Sequence, residues 1–216
     1  MIDLTSPHDT KAGVALPLAL ASALVLLTLL FVRGESGLYG EDGPVEVATI
    51  VAYLCAALLY AWLVPGLAFG REWQIPVTLI LAILREMDLD KSLLSGGILK
   101  SRFYTGDYPL WEKAIGLAIV IFALWTGVRL VRRGLPAMVR GVRDGQVWPW
   151  LVALSVALVV IAKGVFDGLG RKLLPFGVEV PQDVVDSFAR AEEWMELGTA
   201  IFAMVAIPLW YVSRRR

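Results

Sequence analysis

The sequence predicts an all-α integral membrane protein, a compact bundle of about six transmembrane helices whose N- and C-termini are both cytoplasmic. Of the 216 residues, 57% are hydrophobic and 19% are charged, whereas soluble domains are about half apolar and about a quarter charged. The apolar residues are also clustered, in stretches of roughly 18 residues or more that carry almost no charge. This pattern excludes a soluble enzyme, a nucleic-acid-binding protein and a disordered chain.

We predict a single transmembrane domain over residues 1–216. The first span, residues 13–32, contains no ionisable side chain. Its apolar run is too long for a typical signal peptide, and the tail before it is not basic, so we expect a retained helix. The other spans are predicted at about residues 45–69, 73–91, 114–131, 148–165 and 197–212.

The third span is the ambiguous one. Its apolar core covers only residues 75–84, and Arg85, Glu86 and Asp88 follow it. Crossing the hydrocarbon core takes about 20 helical residues, so a full span has to continue to about Lys91 and carry these charges into the bilayer. The alternative is a re-entrant segment that turns back near residue 85. We favour the full span.

Positive charges predict the orientation. Arginines are concentrated in segment 129–143 and at residues 214–216, and Lys/Arg-rich short loops are typical of the cytoplasmic side. With six spans, segments 33–44, 85–113 and 164–195 then face outward. Without the third span the N-terminus changes sides. We predict a multi-pass protein of the plasma membrane, which in bacteria is the inner membrane.

The outward segments together with the adjoining span ends, residues 33–46, 85–113 and 163–196, carry 16 of the 20 acidic residues but only 10 of the 20 basic ones, and many of these charges lie at span ends. Charges near the hydrocarbon are costly unless they are paired or hydrated, so they mark candidate functional sites. We predict an acid-rich polar site in the outer half of the bundle. Its candidate catalytic residues are Glu46, Glu86, Asp167 and Glu196, and its candidate substrate-binding residues are Tyr53, Arg85, Lys100, Arg102 and Lys163.

The alternative interpretation of these charges is structural. Lys163 and Asp167 are four residues apart, which is the spacing of an ion pair on one helix face. Glu192 and Glu196 have the same spacing, but we expect Glu192 to be exposed to solvent. Segment 91–108 combines two glycines with basic and aromatic residues. It is predicted to lie in the outer interface, to cover the polar site, or to be an ordinary connecting loop.

Several kinds of chemistry are excluded by residue counts. Cys55 is the single cysteine and His8 the single histidine, so an internal disulfide, a Cys/His metal site and a Ser-His nucleophile are not expected. We predict no cofactor, although the carboxylates could hold a hard divalent cation such as Mg²⁺ or Ca²⁺.

The leading functional hypothesis is a membrane protein that binds or acts on a lipid or another amphiphilic or anionic small molecule. Membrane lipids are its predicted partners, together with further copies of the chain or a larger membrane complex, and nucleic acid is not. One alternative is a small proton- or ion-coupled transporter or channel that works as an oligomer. Another is a non-catalytic accessory subunit. The sequence leaves open whether the chain is an enzyme.

Overall fold

The computed structural model describes residues 7–33, 43–64 and 70–214, and no strand occurs in this part of the chain. The longer helices are α1 (Pro7–Phe31), α2 (Pro44–Leu63), α3 (Gln74–Glu86), α6 (Leu110–Arg143), α7 (Trp148–Ile161) and α9 (Gln182–Ser213). The shorter elements are α4 (Leu89–Leu93), α5 (Ser101–Thr105), a π-helical turn (Ala162–Phe166), α8 (Leu169–Leu173) and a 3₁₀ turn (Leu174–Phe176).

Within the described residues, five helical stretches are long and apolar enough to cross a membrane. They are Val14–Phe31, Pro44–Leu63, Leu110–Arg143, Trp148–Phe166 and Gln182–Ser213. The predicted all-helical, membrane-type fold is thereby confirmed. The count of six crossings and the cytoplasmic side of the termini stay predictions.

Helix α3 is shorter than the third predicted span. It has 13 residues and is therefore about 20 Å long, against a hydrocarbon core of about 30 Å. The helix stops because Asp88 adopts a left-handed conformation, with φ 44°. The Asp88 carboxylate forms ion pairs with Arg85, at 3.1 Å, and with Lys91. These contacts hold a turn where the sequence predicts a helix continuing to Lys91.

Helices α2 and α9 form the centre of the bundle. Helix α2 packs against α1, α3 and α9, while α9 also packs against α7 and the π turn. Three alanines spaced four residues apart, Ala48, Ala52 and Ala56, are fully buried on α2, and such small side chains let helices approach closely. Between α7 and α9, the Ser155 hydroxyl donates to the main-chain oxygen of Thr199 at 2.9 Å.

The outer helices expose large apolar side chains. In the most apolar stretch of each helix, 17% of the residues of α1 and 11% of those of α6 are buried, against 50% for α2. Leu124 on α6, for example, is 64% exposed. Large exposed apolar faces are rare on soluble proteins and expected where lipid replaces water. The protein therefore has a helical core and an apolar outer surface.

The segment before α6 is folded onto the start of that helix. The ring of Phe103 is 1% exposed and packs against the rings of Tyr104 and Tyr108. The buried carboxylate of Glu112 accepts hydrogen bonds from the main-chain N–H and the hydroxyl of Ser95, both at 2.9 Å. This segment is thus an ordered cap on α6.

Candidate functional site

Lys163 is the centre of a group of charged side chains between the helices. Its ammonium group is 3.0 Å from Glu192 Oε1 and also forms an ion pair with Glu196. The two glutamates lie one turn apart on α9, so their carboxylates point to the same side. Glu196 is buried and Glu192 is half-buried. A single lysine of the π turn therefore bridges two carboxylates of α9.

The π turn that follows α7 orients Lys163. In this turn the N–H of Asp167 donates to the oxygen of Ala162 at 2.9 Å, five residues back. Such turns interrupt the regular α-helical spacing and are frequent at functional sites. The chain then leaves the helix, because Gly168 is left-handed with φ 62°.

This geometry explains why Lys163 does not pair with Asp167. The predicted four-residue pairing needs a continuous α-helix, and the π turn removes that regular spacing. Lys163 turns to α9 instead, while Asp167 lies within electrostatic range of Glu192. The ammonium group of Lys172 donates to the main-chain oxygens of Lys163 and Gly164, at 3.2 and 3.0 Å, which satisfies carbonyls that the end of a helix leaves free.

Two further helices place polar side chains within electrostatic range of this group. Glu86, at the end of α3, lies within electrostatic range of Glu196, Lys163, Arg85 and Glu46. Tyr53 on α2 is buried and lies within range of Glu86 and Glu196. We call this group the Lys163 cluster; its members are Glu46, Tyr53, Arg85, Glu86, Lys163, Asp167, Glu192 and Glu196.

Seven of the nine residues predicted for the polar site belong to the Lys163 cluster. The other two, Lys100 and Arg102, are exposed and lie in and beside α5, in the segment folded onto α6. The cluster also includes Glu192, which the sequence suggested was exposed. The sequence signal that could have identified Glu192 is its position one turn before Glu196 on the same helix face.

Carboxylates outnumber cations among the described residues of the Lys163 cluster. One of its two cations, Arg85, is exposed and pairs with Asp88, so the half-buried Lys163 is the cation that faces the carboxylates. Within the described part of the chain, no set of three or more His, Cys, Asp or Glu side chains is arranged to hold a metal ion. The cluster is therefore rich in hydrogen-bond acceptors and arranged around one ammonium group.

Comparison with known proteins gives no relative: no protein-family model, no curated protein and no solved structure matches this chain.

Proposed function

We propose that this chain is an integral membrane protein whose Lys163 cluster binds the polar head group of a lipid or another amphiphile. The observation that carries the proposal is that Lys163 on the π turn pairs with Glu192 and Glu196 on α9, with Glu86 of α3 and Tyr53 of α2 within electrostatic range of this group. Placing ionisable groups among membrane helices is costly, and such groups mark functional sites by default.

The charge balance indicates which head group suits the site. Because Glu192 and Glu196 already neutralise Lys163, the cluster offers carboxylates rather than a free cation. An amine or another hydrogen-bond-donating head group is therefore favoured over a phosphate. In the sequence-based hypothesis, Arg85, Lys100 and Arg102 hold an anionic group. These three residues are exposed, and that part of the hypothesis stays a prediction.

The test compares two amphiphiles with the same alkyl chain, dodecylamine and dodecyl phosphate. The chain is purified in maltoside micelles, incubated with each compound and separated by gel filtration, and bound compound per chain is quantified by mass spectrometry. We expect dodecylamine to be retained, and Glu196→Gln and Glu86→Gln each to weaken its binding about tenfold, equivalent to about 1.4 kcal/mol. The control is Glu179→Gln, at an exposed position.

Two results would overturn the proposal. One is stronger binding of dodecyl phosphate than of dodecylamine. The other is an equal loss of dodecylamine in Glu179→Gln and Glu196→Gln, because this would indicate general surface charge rather than a site.

A proton-coupled transporter or channel is the second candidate function. The observation in its favour is that two glutamates one turn apart share a single lysine, since carboxylates among membrane helices are typical of proton and ion pathways. In liposomes that contain a pH-sensitive dye, we expect the wild-type chain to carry protons down an imposed gradient. Glu196→Gln should abolish this flux and Glu179→Gln should not. Flux that is the same in all three proteins, or absent from the wild type, would contradict this candidate.

The proposed topology has six crossings, with the Lys163 cluster in the outer half of the membrane. The direction in which α3 runs through the bundle supports this topology. The start of this helix lies beside α6, where Gln74 accepts a hydrogen bond from Arg129, and Glu86 at its end lies within electrostatic range of Lys163 and Glu196. In the proposed topology, α3 and the turn that follows it make the third crossing, although the helix is short.

A further inference from the structure

A second polar region lies at the other end of the bundle. Here a cavity of about 430 Å³ is lined by Arg71, Glu72, Arg133 and Arg214. A neighbouring cavity of about 180 Å³ is lined by Trp125, Val128, Arg129, Arg132 and Arg133. On α9, Arg214 follows the end of the helix, about 27 Å along the axis from Glu196. We call this region the arginine pocket; it is separate from the Lys163 cluster.

The main chain holds two of these arginines in place. The main-chain oxygen of Arg71 accepts hydrogen bonds from Arg133 Nη1 at 2.9 Å and from Arg129 Nη2 at 3.3 Å. Arg129 Nε also donates to the side-chain oxygen of Gln74 at 3.1 Å, and Gln74 is 2% exposed. These bonds use only part of the five donors on each guanidinium, so the remaining donors are presented in a preset orientation.

The pocket has a surplus of positive charge. Glu72 pairs with Arg214 at 2.7 Å, and in the described part of the chain it is the one carboxylate in ion-pair contact with an arginine of the pocket. Arg71, Arg129, Arg132 and Arg133 therefore lack a carboxylate partner among these residues. Guanidinium groups bind phosphate oxygens through paired hydrogen bonds. This composition suits a phosphate-type anion.

Tryptophan rings indicate that the anion belongs to a lipid. Arg129 lies 5.2 Å from the ring of Trp73, which contacts the ring of Trp125 at 4.9 Å, and Arg214 lies 4.7 Å from the ring of Trp210. Tryptophans are enriched at the head-group level of membranes. Trp125 and Val128 are also exposed, and they offer an apolar surface next to the arginines. We propose that the arginine pocket binds the phosphate of an anionic phospholipid, whose acyl chains lie along Trp125 and Val128.

The test is native mass spectrometry of the full chain with phosphatidylglycerol and phosphatidylcholine that carry identical acyl chains. We expect phosphatidylglycerol to be retained on the protein and phosphatidylcholine to be lost. Arg133→Gln and Arg71→Gln should each weaken the retention of phosphatidylglycerol about tenfold. The matched control is Arg140→Gln. It removes the same charge from an exposed position on the same helix as Arg133 and should leave retention unchanged.

Arg71→Gln also shows whether a loss of lipid reflects misfolding. Arg129 and Arg133 donate to the main-chain oxygen of Arg71 and not to its side chain, so this substitution leaves those hydrogen bonds in place. Equal loss of lipid in Arg133→Gln and Arg140→Gln would overturn the proposal in favour of diffuse surface charge. Equal retention of the two lipids would also overturn it. Displacement of phosphatidylglycerol by millimolar inorganic phosphate would reassign the pocket to a small soluble anion and overturn the lipid assignment.

Discussion

Lys163 forms ion pairs with Glu192 and Glu196, which lie one helical turn apart on the same face of α9 and would repel each other without it. Removing its charge leaves Glu192 and Glu196 without their cation, and an uncompensated buried charge destabilises a fold strongly. For Lys163→Met we expect a loss of about 2 kcal/mol of stability, below the value for a fully buried pair because the lysine side chain is 35% exposed. Thermal unfolding in detergent measures this effect, with the exposed Lys100→Met as the control.

A rescue variant distinguishes the contribution of the Lys163 charge to stability from the contribution of its packing. Adding Glu192→Gln and Glu196→Gln to Lys163→Met removes the repulsion and should restore most of the lost stability. If the triple variant is as unstable as Lys163→Met, the lysine acts through its alkyl chain, and the electrostatic account is wrong.

At the level of single residues, the sequence predicts which charges belong to the polar site better than it predicts their partners. Glu196, Glu86 and Lys163 could be identified because ionisable residues within or at the ends of apolar stretches are conspicuous. The pairing of Lys163 with α9 could not be predicted. It depends on a π turn, which has no sequence signature comparable to a capping motif, and on contact with a helix distant in sequence.

Helix α6 contains glycines in two different environments, and this contrast gives a test of packing. A Cβ on Gly116 would lie 2.8 Å from Cε1 of Phe103 and 3.0 Å from Cγ2 of Ile98, whereas a Cβ on Gly127 would have no atom of another element within 4 Å. We expect Gly116→Ala to destabilise the protein by about 1–3 kcal/mol through overpacking. Gly127→Ala should be neutral or slightly stabilising, because alanine favours helix.

Both alanine variants are compared with the wild type by thermal unfolding in the same detergent. Similar melting temperatures for all three proteins would mean that the segment containing Phe103 does not pack on α6 as described. That result would also remove the basis for regarding this segment as an ordered cap.

The predicted spans and the observed helices overlap, but they differ in length. The fourth and sixth predicted spans, residues 114–131 and 197–212, lie within α6 (Leu110–Arg143) and α9 (Gln182–Ser213). Each helix extends by about three to four turns beyond the apolar stretch on one side. Hydropathy marks the part of a helix that suits lipid, while backbone hydrogen bonding continues through polar residues such as those near Arg140 and Asp186.

For the whole molecule, the separation of the two polar regions predicts a topology that labelling can test. In a Cys55→Ala background, cysteines are introduced singly by Asp107→Cys and Asp144→Cys, at exposed positions before and after α6. In intact cells whose plasma membrane is accessible to the reagent, we expect a membrane-impermeant maleimide to label position 107. Position 144 should react only after the membrane is permeabilised.

The reverse pattern of labelling would place the arginine pocket on the outer side and the Lys163 cluster on the inner side. At this scale, the apolar composition and the arginine distribution predicted an oriented bundle. They could not predict the arginine pocket, because its members come from three separate parts of the chain, near Arg71, Arg133 and Arg214. Only the packing of α3, α6 and α9 brings these parts together.

The bridge from Lys163 to Glu192 and Glu196 also fixes how far α9 can move along its own axis. Membrane helices have little hydrophobic preference for one sliding position over another, because lipid and apolar side chains are equivalent surroundings. A shift of α9 by one turn in either direction would bring Phe188 or Ala200 to the level of a carboxylate, and Lys163 would lose one of its two ion pairs. These two ion pairs therefore fix the position of α9 along its own axis. The apolar surface of the helix alone would not determine that position.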